Sequence, residues 1–147
     1  MKVAIGNDHG GYVLRETVFE FLKERGYEYI DFGTDKEESV DYPEYGKKVA
    51  KAVASKQADV GILICGTGIG IGISANKVKG IRCAIVHNAF TAEMTKRHNN
   101  ANVIAFGGRV IDKETTKEIL KAYFDAEYEG GRHQLRIDKI AEIEDNK

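Results

Sequence analysis

The stretch Val60-Gly61-Ile62-Leu63-Ile64-Cys65-Gly66-Thr67-Gly68-Ile69-Gly70 decides the fold of this chain. Its first five residues are apolar or glycine without polar alternation, which is typical of a parallel strand buried on both faces. Alternate glycines follow, and they let backbone amides approach a ligand at the start of a helix. The stretch therefore predicts a buried strand, a glycine loop and a helix.

Similar strand-like runs occur elsewhere in the chain, and helical periodicity separates them. Apolar spacing predicts a helix over 11–25 that Gly26 ends, and Pro43 suits the first turn of a helix reaching about residue 56. Asp112 can cap a further helix, and a last helix begins near 132. The predicted strands are 3–5, 29–32, 60–64, 83–86 and 103–106. This alternation predicts an open, five-stranded parallel α/β sheet covered on both faces.

Composition excludes several classes of protein. The chain has 147 residues, 42% of them hydrophobic, with 22 Lys and Arg against 23 Asp and Glu. Such balanced charge gives no long-range field for a polyanion, and no run approaches the ~20 consecutive apolar residues of a membrane span. We expect one domain over 1–147 with reduced cysteines, no nucleic-acid or membrane partner and, without a hydrophobic signal region, a cytoplasmic location.

Ligands of parallel sheets bind beyond the carboxyl ends of the strands, so the residues that follow each strand are site candidates. Asp8 and His9 follow the first strand. This pair can orient or protonate a substrate, although Asp8 could instead cap the next helix. Cys65 lies where amide dipoles favour a thiolate, although a free cysteine can also be a small buried hydrophobe. The glycine loop matches neither the dinucleotide nor the P-loop pattern, so NAD or ATP is not expected.

Basic residues supply a second group of candidates. His98 ends the fourth helix, where a histidine can also serve only the helix dipole. Arg109 follows the fifth strand and offers one guanidinium. Arg132 and Arg136 share one face of the last helix, and with neighbouring His133 they form a fork suited to a phosphate dianion. The alternative for the two arginines is a solvated charged face.

These candidates include no metal-ligand cluster and suit two classes of reaction. A thiol beside an oxyanion-binding loop can perform acyl transfer through a thioester. It can also abstract a proton beside a carbonyl group, through an enediolate. The arginines, which are suited to bind a phosphate, favour the second class.

Seven segments of the chain form a recognisable series. They are Asp8-His9-Gly10-Gly11, Ser39-Val40-Asp41-Tyr42-Pro43, Cys65-Gly66-Thr67-Gly68-Ile69-Gly70, Ala75-Asn76-Lys77, Gly80-Ile81-Arg82, His98-Asn99-Asn100-Ala101-Asn102 and Glu129-Gly130-Gly131-Arg132-His133. In this order they resemble ribose-5-phosphate isomerase type B. The resemblance implies a Rossmann-like three-layer α/β/α sandwich and a homodimer or dimer of dimers. It also implies no cofactor, and interconversion of ribose 5-phosphate and ribulose 5-phosphate in the pentose phosphate pathway.

The resemblance also implies roles for single residues. Cys65 is the base that moves the proton between C1 and C2. His98, with Asp8 nearby, opens the furanose ring. The enediolate is held by Thr67 and by the loop amides, among them those of Gly66, Gly68 and Gly70.

The remaining implied roles concern substrate binding. Tyr42 and Asn99 contact sugar hydroxyls. The implied phosphate ligands are His9, Arg109, Arg132 and Arg136. The neighbouring subunit is implied to supply His98, Asn99 and Arg109, so that the two subunits share their active sites.

The sequence departs from the commonest family pattern at Gly72 and Ser74, where a serine and an alanine are frequent. Both positions are predicted to line the glycine loop and to bear on substrate preference. Isomerases of allose 6-phosphate or galactose 6-phosphate are the first alternative, and Cys65 disfavours the galactose enzymes. A non-catalytic sugar-phosphate sensor would not require the thiol, and a thiol hydrolase would form an acyl adduct on Cys65.

Overall fold

The computed structural model describes residues 1–146, which form five strands and six α-helices. The strands are β1 (Lys2–Asn7), β2 (Glu28–Asp31), β3 (Val60–Cys65), β4 (Cys83–Ile85) and β5 (Val103–Gly107). The helices are α1 (Arg15–Glu24), α2 (Tyr42–Ala54), α3 (Ile69–Ala75), α4 (Ala89–Asn99), α5 (Lys113–Asp125) and α6 (Arg132–Asp145). Among the helices of these residues, none has the length and apolar character that crossing a membrane requires.

The five strands form one parallel sheet in the order β2-β1-β3-β5-β4, which confirms the predicted sheet. Asn7 of β1 lies beside Ile64 of β3, and Cys65 of β3 lies beside Gly107 of β5. The chain leaves β1 towards one side of the sheet and leaves β3 towards the other. The crevice where ligands bind in such sheets is therefore expected between the carboxyl ends of β1 and β3.

Apolar side chains cover both faces of the sheet and hold the helices in two outer layers. Ile62 and Phe106 belong to the core beneath α1, α4 and α5, whereas Leu63 and Ala105 belong to the core beneath α2 and α3. Neighbouring strand residues thus serve opposite cores, as the pleat of a strand requires. Each fully buried Ile or Leu contributes about 1.5–3 kcal/mol. The three-layer α/β/α fold is confirmed.

The ends of several elements differ from their predicted positions. The helix predicted over 11–25 is divided into a 3₁₀ turn at Tyr12–Leu14 and α1, which begins at Arg15. Ahead of this helix, the Asp8 carboxylate holds the amides of Gly10 and Gly11 in a turn. Two predicted helix ends are confirmed. Gly26, with φ +69°, follows the end of α1, and Asp112 caps α5, because its Oδ1 accepts the Thr115 N–H at 2.7 Å.

Candidate active site

Three loops, which follow β1, β3 and β5, interlock beyond the carboxyl ends of the strands. We call this end of the sheet the carboxyl edge, and the end where the strands begin the amino edge. A Cβ atom on Gly10 would lie 2.8 Å from the Gly66 amide nitrogen, so only glycine permits this approach. Backbone hydrogen bonds join the same loops. The Gly108 N–H donates to the Cys65 carbonyl at 2.8 Å, and the Arg109 N–H donates to the Gly66 carbonyl at 3.0 Å. The backbone itself therefore builds this part of the site.

Cys65 is the last residue of β3 and is only 4% exposed. Its Sγ accepts a hydrogen bond from the Gly68 N–H at 3.1 Å. An N–H donor stabilises negative charge on sulfur, and the thiolate is the reactive form of cysteine. Gly68 makes this contact with φ +82°, and a Cβ there would lie 2.8 Å from the Phe106 backbone. Cys65 is thus held in place by a glycine that no other residue can replace without strain.

Thr67 and the loop amides are partly engaged within the loop itself. Thr67 is exposed, and its Oγ1 accepts the Ile69 N–H at 3.2 Å. Two of the amides predicted to hold an oxyanion, those of Gly68 and Ile69, are therefore already bonded to loop side chains. An oxyanion at this place would compete with Cys65 Sγ and Thr67 Oγ1 for them.

Asp8 and His9 follow β1, and their side chains have separate partners. Asp8 is buried, and its Oδ1 accepts the N–H groups of Gly10 at 2.8 Å and Gly11 at 3.1 Å. These contacts form a local turn directly after β1. Among residues 1–146 no side-chain oxygen caps the 3₁₀ turn or α1, so Asp8 is not a helix cap. His9 Nδ1 accepts the Val40 N–H at 3.1 Å, which places the proton of the neutral ring on Nε2. His9 therefore offers an N–H donor suited to an anion.

Tyr42 and Arg109 both pack against glycines of the Cys65 loop, residues 65–70. A Cβ on Gly70 would lie 2.6 Å from Cε1 and Cζ of Tyr42, and one on Gly66 would lie 3.0 Å from Arg109 Nη1. The two glycines thus make room for a phenol and a guanidinium. The resemblance implies that a neighbouring subunit supplies Arg109, and this remains a prediction. Arg109 follows β5, whose carboxyl end lies beside that of β3, and so reaches the Cys65 loop of its own chain.

The prediction that Gly72 and Ser74 line the glycine loop is wrong for Gly72, and Ser74 touches the loop only through one hydrogen bond. A Cβ on Gly72 would lie 2.9 Å from Ile85 Cγ1, so this position packs against β4. Ser74 Oγ donates to the Gly70 carbonyl at 2.8 Å, and the Ser74 Cβ faces Gly46 of α2. The helical twist of α3 turns both positions towards neighbouring elements. Their departure from the family pattern is thus a matter of helix packing.

His98 lies at the opposite, amino edge of the sheet from Cys65. It belongs to the last turn of α4, which runs back from the carboxyl end of β4 to the start of β5. Cys65 pairs with Gly107 at the far end of β5, and at ~3.3 Å per residue this strand separates the two edges by roughly 15 Å. Asn99 lies in the same turn, and its carbonyl accepts the Nε–H of Arg82 at 3.1 Å. One chain therefore does not bring His98 or Asn99 to Cys65, nor His98 to Asp8.

The four predicted phosphate ligands are divided between the two edges. His9 and Arg109 lie at the carboxyl edge. Arg132 and Arg136 occupy the first two turns of α6, which begins beside the last turn of α4 at the amino edge. Both are exposed, and among residues 1–146 neither forms an ion pair. One phosphate can meet all four only if two chains combine.

Glu129, to which the sequence gave no role in the site, and His133 both lie against His98. His133 was predicted to join the arginines, but it is 7% exposed and its ring stacks on that of His98, with centroids 4.4 Å apart and planes inclined by 12°. Glu129 Oε1 lies 3.4 Å from His133 Nε2, and Oε2 lies 3.9 Å from His98 Nε2. We call these three residues the His98 cluster. The i, i+4 spacing of Glu129 and His133 was a signal in the sequence, but their approach to α4 depends on tertiary packing.

The electrostatics of the His98 cluster centre on Glu129. Arg97 Nε donates to Glu129 Oε2 at 2.6 Å, and this hydrogen bond lowers the pKa of Glu129 from its ordinary value. Glu129 therefore remains a carboxylate. The sequence predicted no metal-ligand group, whereas one ligand atom from each cluster residue lies within 4.8 Å of the others.

Cys83, the other cysteine, differs from Cys65 in its surroundings. The residue is partly exposed, but its thiol is enclosed by protein, and burial raises the pKa of Cys83 to about 12. Cys83 therefore stays protonated near neutral pH. Cys83 thus packs as a small apolar side chain against the core beneath α2 and α3.

Comparison with known proteins places this geometry in a family. Residues 3–140 match the family model described as Ribose/Galactose Isomerase. The chain is 48% identical to "Ribose-5-phosphate isomerase B" of Escherichia coli (strain K12), over 99% of this chain and 98% of that protein. It is 41% identical to "D-erythrulose-4-phosphate isomerase" of Pectobacterium atrosepticum, over 98% and 95% of the two chains.

A solved structure gives the same result. Ribose-5-phosphate isomerase B of Clostridium thermocellum is 53% identical, with a TM-score of 0.97 over 99% of both chains. These matches confirm the resemblance to ribose-5-phosphate isomerase type B. The chain belongs to the ribose/galactose isomerase family.

Proposed function

We propose that this protein interconverts ribose 5-phosphate and ribulose 5-phosphate through an enediolate, with Cys65 as the base. The observation that carries the proposal is the Cys65 sulfur, held by the Gly68 N–H beside the crevice between β1 and β3. The names of the E. coli and C. thermocellum relatives support the pentose substrate. The reaction would serve the pentose phosphate pathway.

The proposed chemistry begins with the open-chain aldose. The Cys65 thiolate takes the proton from C2, and its electron pair forms the C1–C2 double bond while negative charge develops on O1. Protonation of the sulfur weakens its hold on the Gly68 N–H, so this amide becomes available to the oxyanion. The thiol then returns the proton to C1, and the hydroxyl proton of O2 moves to O1. The product is the ketose, and the thiolate is regenerated.

Ring opening is assigned to His98, and the proposed site therefore needs two chains. His98, Asn99, Arg132 and Arg136 all lie at the amino edge, away from Cys65. In a two-fold dimer a second chain can bring this edge to the Cys65 loop of the first, and the first does the same for the second. Such a homodimer holds two equivalent shared sites, and two dimers could associate as a tetramer.

The surface around the Cys65 loop supports this assembly. Large apolar side chains that follow the strands are about half exposed or more, namely Val13, Ile69, Phe90 and Val110. Soluble proteins seldom leave such a group uncovered, and apolar groups of this kind mark the core of protein interfaces. A second chain seated on this edge would cover them.

A substrate panel tests the proposed reaction. Purified protein is assayed with ribose 5-phosphate, D-allose 6-phosphate, D-galactose 6-phosphate and D-erythrose 4-phosphate, and we expect the highest kcat/KM for ribose 5-phosphate. If kcat/KM is instead highest for D-erythrose 4-phosphate, the substrate is the tetrose and not the pentose, and the name of the Pectobacterium relative is the reason to include it. Binding without turnover of any sugar would instead indicate a sensor, and an acyl adduct on Cys65 would indicate a hydrolase.

Subunit complementation tests the shared site. Cys65→Ala and His98→Ala proteins are each strongly impaired, and they are mixed under conditions of verified subunit exchange. Random pairing makes half of the dimers mixed, and each mixed dimer has one intact site of two, so roughly a quarter of wild-type activity should return. Exchange without recovery would place both residues in the site of one chain and refute the shared site.

A further inference from the structure

We infer that Glu129 and His133 are positioning residues that orient the His98 ring for the proton transfer that opens the sugar ring. The inference rests on the proposed function, because it concerns the step assigned to His98. Neither residue lies at the Cys65 edge of its own chain, and both contact His98.

His133 supplies the surface on which His98 rests. The two rings are nearly parallel, with an interplanar angle of 12°, and the centroids are 4.4 Å apart. The side chain of His133 is 8% exposed, whereas that of His98 is 38% exposed. The His133 backbone is fixed as well, because its N–H donates to the Gly130 carbonyl at 3.1 Å. A buried, fixed ring thus sets the plane of a more exposed ring.

Glu129 supplies the second constraint. Its carboxylate accepts the Arg97 Nε–H at 2.6 Å, and its own N–H donates to the Arg97 carbonyl at 3.0 Å. The exposed Glu93 also contacts Arg97, at 3.1 Å, but Glu129 is held by its own two bonds to Arg97. The fixed carboxylate faces Nε2 of both histidines, at 3.4 Å from that of His133 and 3.9 Å from that of His98. The plane of the His98 ring and the charge that faces its Nε2 are therefore both set before a sugar binds.

The same geometry disfavours a cation site. A metal ion must lie near the plane of each ligating imidazole, along the lone pair of its nitrogen. Two nearly parallel, stacked rings do not direct their lone pairs to one point. Arg97 also occupies the carboxylate that a cation would need. The cluster is better suited to orienting an imidazole.

A double-mutant cycle on ribose 5-phosphate isomerisation tests the inference. His133→Ala should lower kcat about 10-fold or more, because small misplacements of a catalytic group are costly. In the His98→Ala protein the same change should cost less than about 2-fold, because His133 acts through His98. His133→Phe keeps a stacking surface and should restore most of kcat, with KM within about 2-fold of wild type in each case.

Glu129→Gln and Glu93→Gln form a matched pair. Both carboxylates contact Arg97, but only Glu129 faces His98, so only Glu129→Gln should lower kcat. Thermal unfolding is recorded for each variant to show that it folds. If His133→Ala does not fold, the inference is tested by His133→Phe and by the comparison of Glu129→Gln with Glu93→Gln.

Equal losses from His133→Ala in the wild-type and His98→Ala proteins would overturn the inference. A loss confined to KM, or a His133→Phe protein as impaired as His133→Ala, would do the same. If wild-type protein does not convert ribose 5-phosphate, the proposed function fails instead. The cycle is then run on the aldose phosphate of the panel that the wild type converts, and the same outcomes decide the inference.

Discussion

The two edges of the sheet carry complementary halves of the proposed site, and they are built by different means. At the carboxyl edge, backbone hydrogen bonds and glycines such as Gly10, Gly66 and Gly68 shape the loops. At the amino edge, contacts between side chains of α4 and α6 shape the His98 cluster. At the carboxyl edge, even one added side-chain atom on these glycines would collide with neighbouring atoms. At the amino edge, single side chains can be replaced one at a time.

This difference separates two kinds of experimental effect. Changes at the carboxyl edge should affect the proton transfer itself or the folding of the chain. Changes at the amino edge should leave the fold intact and affect ring opening or phosphate binding. The predictions below test that separation.

Cys65→Ala should have the largest effect at the carboxyl edge. Loss of a positioned base should reduce isomerisation by at least ~10²-fold, with phosphate binding retained. The measurements are steady-state turnover and competition by inorganic phosphate.

Cys83→Ala is the matched control for Cys65→Ala. Since burial raises the pKa of Cys83 to about 12, this thiol is neutral at pH 8, and its replacement should leave turnover unchanged. Iodoacetamide should inactivate the protein by labelling Cys65, with protection by ribose 5-phosphate. Normal turnover by Cys65→Ala beside an inactive Cys83→Ala would reverse the assignment.

Gly68→Ala and Gly130→Ala should differ in stability, although both positions have positive φ. Left-handed backbone costs either alanine roughly 1–2 kcal/mol. The new Cβ at Gly68 would also lie 2.8 Å from the Phe106 backbone, whereas a Cβ at Gly130 meets nothing within 4 Å. Overpacking should add about 1–3 kcal/mol at Gly68 alone. Urea unfolding measures the difference, and equal stabilities would show that the carboxyl edge is not tightly packed.

Arg132→Ala and Arg136→Ala should have a smaller effect, confined to substrate binding. Each should raise KM about 10-fold with little change in kcat, because a phosphate contact stabilises ground and transition states alike. Lysine should replace either arginine poorly, since it lacks the planar fork.

Arg25→Ala is the control for the two arginine variants. Arg25 forms an ion pair at 2.7 Å with Asp125, the last residue of α5, and its replacement should not change KM. An unchanged KM in both Arg132→Ala and Arg136→Ala would show that the two arginines do not bind the phosphate and only form a solvated charged face.

The sequence predicts much of the carboxyl edge, because local residue patterns determine it. Short apolar runs predict the parallel strands, and the glycines after β3 predict the loop around Cys65. The interlocking of three loops was not predicted, because it depends on which strands are neighbours in the sheet. For the same reason the contact of Arg109 with the Cys65 loop of its own chain was not predicted.

The sequence predicts little of the amino edge. The helices that carry His98 and Arg132 follow from periodicity and the spacing of residues. The stacking of His133 on His98 does not, because it joins segments 35 residues apart through the packing of α6 beside α4. Gly72 was misjudged in a similar way, since only the orientation of α3 shows that this residue faces Ile85.

The interlocked loops at the carboxyl edge also determine how fast this region can open. Loops at binding sites commonly exchange their amide hydrogens with solvent as quickly as mobile chain ends do. Here the amides of Gly108 and Arg109 are bonded to carbonyls of the loop after β3, so their exchange requires the ends of β3 and β5 to separate. Ordering a mobile residue costs about 1–2 kcal/mol in conformational entropy. Because these loops are already ordered, a small sugar phosphate would bind without this loss of conformational entropy.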